Sequence, residues 1–127
     1  MQPDFLDIVE VLYIHADQIE RYGGDAGIRD ARLLESAVAM PQSTFGGEFL
    51  HRDVYEMGAA YLFHIVQNHP FVDGNKRTGA AAALVFLELN GVSIDAAEED
   101  LVVLVLNVAQ SRADKACIAE FLRENSG

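Results

Sequence analysis

His69, Asp73, Asn75, Lys76 and Arg77 fall within the nine positions His69-Pro70-Phe71-Val72-Asp73-Gly74-Asn75-Lys76-Arg77. Their chemistries are complementary. Histidine is the side chain best suited to take a proton from a hydroxyl near neutral pH. A carboxylate such as Asp73 is the hard oxygen ligand that a phosphate-bound Mg²⁺ takes. Two adjacent cations suit phosphate oxygens, and a guanidinium matches them geometrically. Pro70 disfavours helical geometry at His69, so a helix is predicted to end there. Good helix formers from Thr78 to Leu89 predict a new helix from about Gly74 or Asn75. A helix start offers unpaired N–H groups and a partial positive charge, a place where anions bind. Together these are the parts of a phosphate-transfer site. Residue by residue, the same string also reads as an ordinary solvated Asp-Gly-Asn turn.

The elements around that turn read as helices. A first one is predicted from about Asp4 to Tyr22, with Phe5, Ile8, Val9, Leu12 and Ile19 at helical spacing and Gly23-Gly24 as its stop. His15 lies within it, as a surface or packed residue. Asp30 is placed to cap a short helix from Ala31 to about Met40, which Pro41 ends. Residues 42–52 are irregular, and their aromatics Phe45 and Phe49 either form an exposed flap or fold back into the core. Asp53 with Glu56 reads as a capping box opening a helix to Asn68. His64 on that helix is five residues from His69, the wrong spacing for two zinc ligands on one face, and reads as structural. Phe71, apolar in a polar turn, is expected to plug into the core and pin it. The helix from Asn75 to about Asn90 is apolar nearly all round, as a central helix is. Asp95 with Glu98 reads as another capping box. Leu101–Leu106 fits a strand by its β-branched residues and a helix by its acidic first turn. Asp114 is placed to cap a last helix to about Arg123.

The length of 127 residues suits a single domain, 1–127, and half the residues are hydrophobic, enough for a proper core. A formal charge of −11 argues against a direct nucleic-acid or anionic-membrane surface. The lone Cys117 cannot form an internal disulfide and reads as packed or inert. The start, Met-Gln-Pro-Asp-Phe-Leu-Asp, lacks a signal peptide's basic and apolar parts. The longest apolar stretch, Gly79 to Leu87, is too short to cross a membrane. A soluble, cytoplasmic protein is expected.

The ordered string His-Pro-Phe-x-Asp-Gly-Asn-Lys-Arg resembles the signature of the Fic superfamily, and the lysine before the arginine resembles its Doc (death-on-curing) branch. The resemblance extends to Ile14-His15, Arg21-Tyr22-Gly23-Gly24, Leu34-Glu35-Ser36-Ala37, Pro41-Gln42 and Phe86-Leu87-x-x-Asn90-Gly91. It implies an all-α, compact helical bundle of about six helices with a small flap that helps position a target segment. It also implies site roles: His69 as the base that deprotonates a target hydroxyl, Asp73 as the Mg²⁺ ligand, Gly74 and Asn75 as an anion hole, and Arg77 with Lys76 steadying the phosphates of ATP. Positioning and electrostatics carry most of phosphoryl-transfer catalysis, so such a small set suffices.

Two departures separate the chain from AMP-transferring Fic proteins. Lys76 stands where they have glycine, and Ala80 where they usually have a second arginine. Doc-type proteins share the lysine, and for them the resemblance implies a reversed nucleotide and transfer of the γ-phosphate to translation elongation factor Tu, blocking protein synthesis. Self-inhibited Fic proteins carry Ser/Thr-x-x-x-Glu-Gly/Asn on an obstructing helix. The nearest match here, Thr44 with Glu48, is followed by Phe49 and interrupted by Gly46-Gly47, so it fails as one. Inhibition from outside is expected instead, by a cognate antitoxin whose C-terminal segment folds into a groove. The expected function is a Doc-type kinase toxin of a toxin–antitoxin pair. The alternatives are AMP transfer to a protein hydroxyl and a catalytically inert Fic-fold binding protein. Arg21 and Arg29 read as solvated cations with a phosphate within their reach.

Overall fold

The computed structural model describes residues 2–127. Among them are six α-helices: α1 Ile8–Tyr22, α2 Ala31–Ala39, α3 Val54–Asn68, α4 Asn75–Leu89, α5 Glu98–Ala109 and α6 Lys115–Glu124. A 3₁₀ turn, Met40–Gln42, follows α2. A hairpin pairs β1 (Thr44–Phe45) with β2 (Glu48–Phe49), Thr44 opposite Phe49 and Phe45 opposite Glu48. This is the all-α bundle with a small flap that the sequence predicts.

Aspartates start four of these helices. Asp7, Asp30, Asp53 and Asp114 each accept a hydrogen bond from the backbone N–H three residues on. Asp7 makes a full capping box with Glu10, so α1 begins at Ile8 rather than near Asp4. The preceding residues are tied down separately: Asp4 exchanges two hydrogen bonds with the Asn90 carboxamide, and Leu6 exchanges two with the Tyr61 hydroxyl. With that start, Val11 and His15 are buried while Val9, predicted to face inward, is 68% exposed. The box at Asp53 is half formed, because Glu56 accepts from Arg52 N rather than from Asp53 N. No box forms at Asp95. Its N–H donates to Asn125 O, and α5 starts only after Ala97. Leu101–Leu106 is helical. Cys117, read as packed or inert, is exposed on α6. No helix among the described residues is long and apolar enough to cross a membrane.

Helices α3 and α4 form the centre. Tyr61, Leu62 and Ile65 on α3 and Ala82, Ala83, Phe86 and Leu87 on α4 are fully buried. They approach so closely that a Cβ at Gly79 would lie 2.9 Å from Val66 Cγ2 and 3.2 Å from Leu62 O. The turn that joins them, residues 69–74, therefore hangs from two rigid ends. In the flap the two aromatics divide: Phe49 packs on Phe5, centroids 5.5 Å apart, and Phe45 stays 83% exposed.

The base of the flap is held by a cluster of cationic and basic groups. Lys115 Nζ lies 3.2 Å from both His51 Nε2 and His64 Nε2. An ammonium only donates, so both rings accept and are neutral there. Burial, followed by the Lys115 charge, lowers His51, and the same two causes with His51 hold His64 down to about 4. Glu56 acts on His51 in the opposite sense. Since an unfolded histidine titrates near 6.5, the unfolded chain binds protons that the folded one refuses. The stabilisation is complete above pH 6.5 and is lost as pH falls toward about 4. Melting temperatures should drop across that window, and Lys115→Met should shallow the drop by removing a cation from beside both rings. A Lys115→Met slope identical to wild type would show that the lysine plays no part.

Candidate active site

The turn between α3 and α4 begins with strain. His69 caps α3 in the left-handed region, φ 51° and ψ 53°, its N–H donating to Ile65 O at 3.2 Å. For a residue with a Cβ this region costs about 1–2 kcal/mol, so neighbouring contacts must hold it. Asn75, only 4% exposed, supplies several. Its Oδ1 accepts from Phe71 N at 2.9 Å, and its Nδ2 donates to Phe71 O at 2.9 Å and to His69 Nδ1 at 3.1 Å. The two Phe71 bonds fix which end of the amide is which, so His69 Nδ1 is an acceptor. In a neutral ring that leaves the hydrogen on Nε2.

Phe71 is fully buried, as predicted, and its ring stacks on His15 at 3.7 Å and 5°. His15 Nε2 lies 2.8 Å from Asp73 O, which can only accept, so that nitrogen carries a hydrogen. A packed histidine thus holds the backbone of the proposed metal ligand. Asp73 Oδ1 accepts from Gly74 N at 2.8 Å. Gly74 takes a left-handed conformation, φ 78°, which lets the chain turn into α4. The first turn of α4 then opens: Thr78 N donates back to Gly74 O. The N–H groups of Asn75, Lys76 and Arg77 precede that first bond, as the first N–H groups of any helix do. The carboxamide of Asn75, by contrast, faces inward and is used within the protein.

Arg77 donates to Gly23 O at 3.0 Å and sits over the Tyr22 ring at 5.5 Å. Lys76 is exposed. Both line a groove of about 520 Å³ between α1, α4 and α5, whose other walls include Tyr22, Ala80, Val102 and Leu106.

A second segment crosses the turn from outside. Val72 N donates to Gly27 O, both Arg29 N and Asp30 N donate to Pro70 O, and Ile28 pairs with Phe71 in an antiparallel bridge. Arg29 Nε donates to His69 O at 2.6 Å and its Nη2 to Asn68 O at 2.9 Å. Arg29 is therefore not the freely solvated cation of the sequence reading. Arg21 is exposed and pairs with Asp17 at 3.0 Å, away from these residues.

The structure brings His69, Asp73, Gly74, Asn75 and Arg77 onto one turn, with Lys76 beside it. Sequence reasoning left open whether His15 and Arg29 join them. The signal for His15 was its place in an apolar helix face, where a buried polar ring needs a partner. Arg29 carried no signal, since its partners are carbonyls of residues about forty positions on.

The strained histidine at the end of one central helix and the start of the next both lie in the part of the chain that a family model matches. The model of the Fic/DOC family matches residues 5–87, and the chain belongs to that family. Within it, the chain is 45% identical over 75 residues to "Toxin Doc" of Mycolicibacterium smegmatis, covering 59% of this chain and 58% of that protein, so it spans little more than half the length of that relative. It is 33% identical over 118 residues to "Protein kinase doc" of Escherichia phage P1, covering 93% of this chain and 92% of that one.

Proposed function

We propose that this chain is a Doc-type toxin that transfers the γ-phosphate of ATP to a hydroxyl of a protein target, with translation elongation factor Tu as that target. The observation that carries the reading is the near full-length match to a relative named as a protein kinase, with its motif residues gathered on one turn. Lys76, not glycine, and Ala80, not arginine, line the groove beside the phosphate-binding helix start, which favours phosphate over AMP transfer.

The residues fit a Mg²⁺–nucleotide. Asp73 is exposed, and among the described residues no hydrogen bond occupies its Oδ2. One carboxylate plus substrate phosphates is the ligand set Mg²⁺ commonly takes. When bound, the ion neutralises charge on the transferring phosphate. The backbone N–H groups of Asn75, Lys76 and Arg77 bind phosphate oxygens, and the Arg77 guanidinium and Lys76 ammonium steady them. His69 is the base that takes the proton of the target hydroxyl. The apolar groove between α1, α4 and α5 suits the C-terminal segment of an antitoxin, and its end at Lys76 and Arg77 would let that segment block the phosphate site.

Gly24 offers a test of Asp73. A Cβ there would lie 2.6 Å from Asp73 Oδ2, at a backbone φ of 119° that side chains rarely adopt. Gly24→Ala should displace the carboxylate and raise the Mg²⁺ concentration needed for half-maximal transfer by about tenfold, the scale seen when a ligand loses its support. An unchanged Mg²⁺ dependence would remove Asp73 from the metal site. The proposal as a whole is tested with ATP labelled at either phosphate. Label should reach the target from the γ position only, and label from the α position would mean AMP transfer.

A further inference from the structure

We infer that Arg29 is a positioning residue for the histidine base, an inference that rests on the phosphotransfer reading of the site. The basis is geometric. At the end of α3 the carbonyls of Asn68 and His69 have no following helical N–H to accept from. Arg29 covers both of them with two nitrogens of one planar fork, at 2.9 and 2.6 Å. Its own backbone N–H and that of Asp30 converge on the next carbonyl, Pro70 O, at 2.7 and 3.0 Å. Three successive carbonyls through the strained residue are thereby gripped from a segment about forty positions earlier in the chain.

The direction of the His69 side chain follows from its left-handed backbone, and that backbone is the costliest conformation on the turn. Asn75 holds the ring and Arg29 holds the peptide planes on either side of His69. With the guanidinium gone, the His69 peptide relaxes toward the ordinary extended or helical regions and the ring leaves Asn75. The backbone bonds that remain, Arg29 N and Asp30 N to Pro70 O, Val72 N to Gly27 O and the Ile28–Phe71 bridge, grip Pro70 and the residues after it and leave the Asn68 and His69 carbonyls uncovered. Arg29 does not point into the phosphate site for this role, since its two bonded nitrogens are spent on the protein.

Arg29→Met keeps the stem and removes the donors, and Arg29→Lys keeps the charge and restores a single donor. In Arg29→Met, kcat should fall about 10- to 100-fold, the scale of an ångström-sized misplacement, with KM for ATP unchanged. Arg29→Lys should recover part of that loss. A readout independent of turnover is the NMR spectrum of the full chain carrying ¹⁵N-labelled histidine. Wild-type His69 should show Nδ1 as a hydrogen-bond acceptor with the hydrogen on Nε2, and Arg29→Met should show the tautomer mixture of a free imidazole. Folding is checked by thermal melts. A folded Arg29→Met with wild-type kcat and wild-type His69 signals overturns the inference. So does a raised KM for ATP with kcat intact, which would make Arg29 a phosphate ligand. Should Arg29→Met fail to fold, Arg29→Lys decides: reduced kcat at constant KM supports the role, and wild-type kinetics refutes it. If wild type itself transfers no phosphate, the phosphotransfer reading fails while the His69 spectra still judge the clamp.

Discussion

His69→Ala is expected to lower phosphate transfer by about 10²- to 10⁴-fold, the range a positioned general base contributes. The loss should fall on kcat, because the groups proposed to bind phosphate lie on the other side of the turn, at the start of α4. Stability should stay near wild type. The His69 side chain is exposed, and its hydrogen bond from Asn75 is worth about 1 kcal/mol net. His69→Gly sharpens the point. It relieves a left-handed backbone cost of about 1–2 kcal/mol, but adds unfolded-chain entropy of about 0.5–1 kcal/mol and loses the same hydrogen bond. These terms offset to within about 1 kcal/mol, so His69→Gly should be inactive and as stable as wild type in parallel melts and transfer assays. A folded His69→Ala that retained a third of its activity would remove the histidine from the reaction.

Asn75→Ala should damage stability and activity together. Its carboxamide is the only side chain bonded to both polar groups of the Phe71 backbone among the described residues, and Phe71 is fully buried. Removing it leaves a buried N–H and a buried C=O unpaired, at about 1–3 kcal/mol each. The His69 ring loses its support in the same step, for a further rate loss of about 10²-fold. Asn75→Asp is the more severe variant despite its shape. A carboxylate can still accept from Phe71 N, but it faces Phe71 O and His69 Nδ1 with no hydrogen to offer. Chemical denaturation and transfer assays on both variants check the order. Equal effects of Ala and Asp would mean that a carboxylate facing Phe71 O and His69 Nδ1 adds no penalty to the loss of the amide.

Much of this was legible in the residues themselves. An aspartate ahead of an apolar-periodic run marked three helix starts, at Asp30, Asp53 and Asp114, because capping is a local matter of one side chain and one N–H. Phe71 was legible for a similar reason, since a polar turn has no use for an exposed aromatic. Asp95 and Glu98 show the limit. They have the spacing of a capping box, yet the Asp95 N–H is claimed by Asn125 O from the far end of the chain. Val9 was misplaced because the true start of α1 depends on Asp7 and on the tether between Leu6 and Tyr61. At the site, residue types and order singled out His69, Asp73, Gly74, Asn75, Lys76 and Arg77 as candidates. The inward direction of the Asn75 amide was not legible, nor were the carbonyls held by His15 and Arg29, 58 and about forty positions away. Contacts of that span are settled by packing, and no local pattern encodes them.

The claim that this turn moves a phosphate onto a protein is tested most directly by intact-protein mass spectrometry of elongation factor Tu after incubation with the chain, ATP and Mg²⁺. His69→Ala and Asp73→Ala serve as controls. The expected result is a gain of one phosphate with wild type and none with either variant. A gain of AMP would contradict it and return the protein to the nucleotide-transferring side of its family, with Lys76 no bar to that orientation. A target left unmodified by active, folded wild type would contradict elongation factor Tu as the substrate.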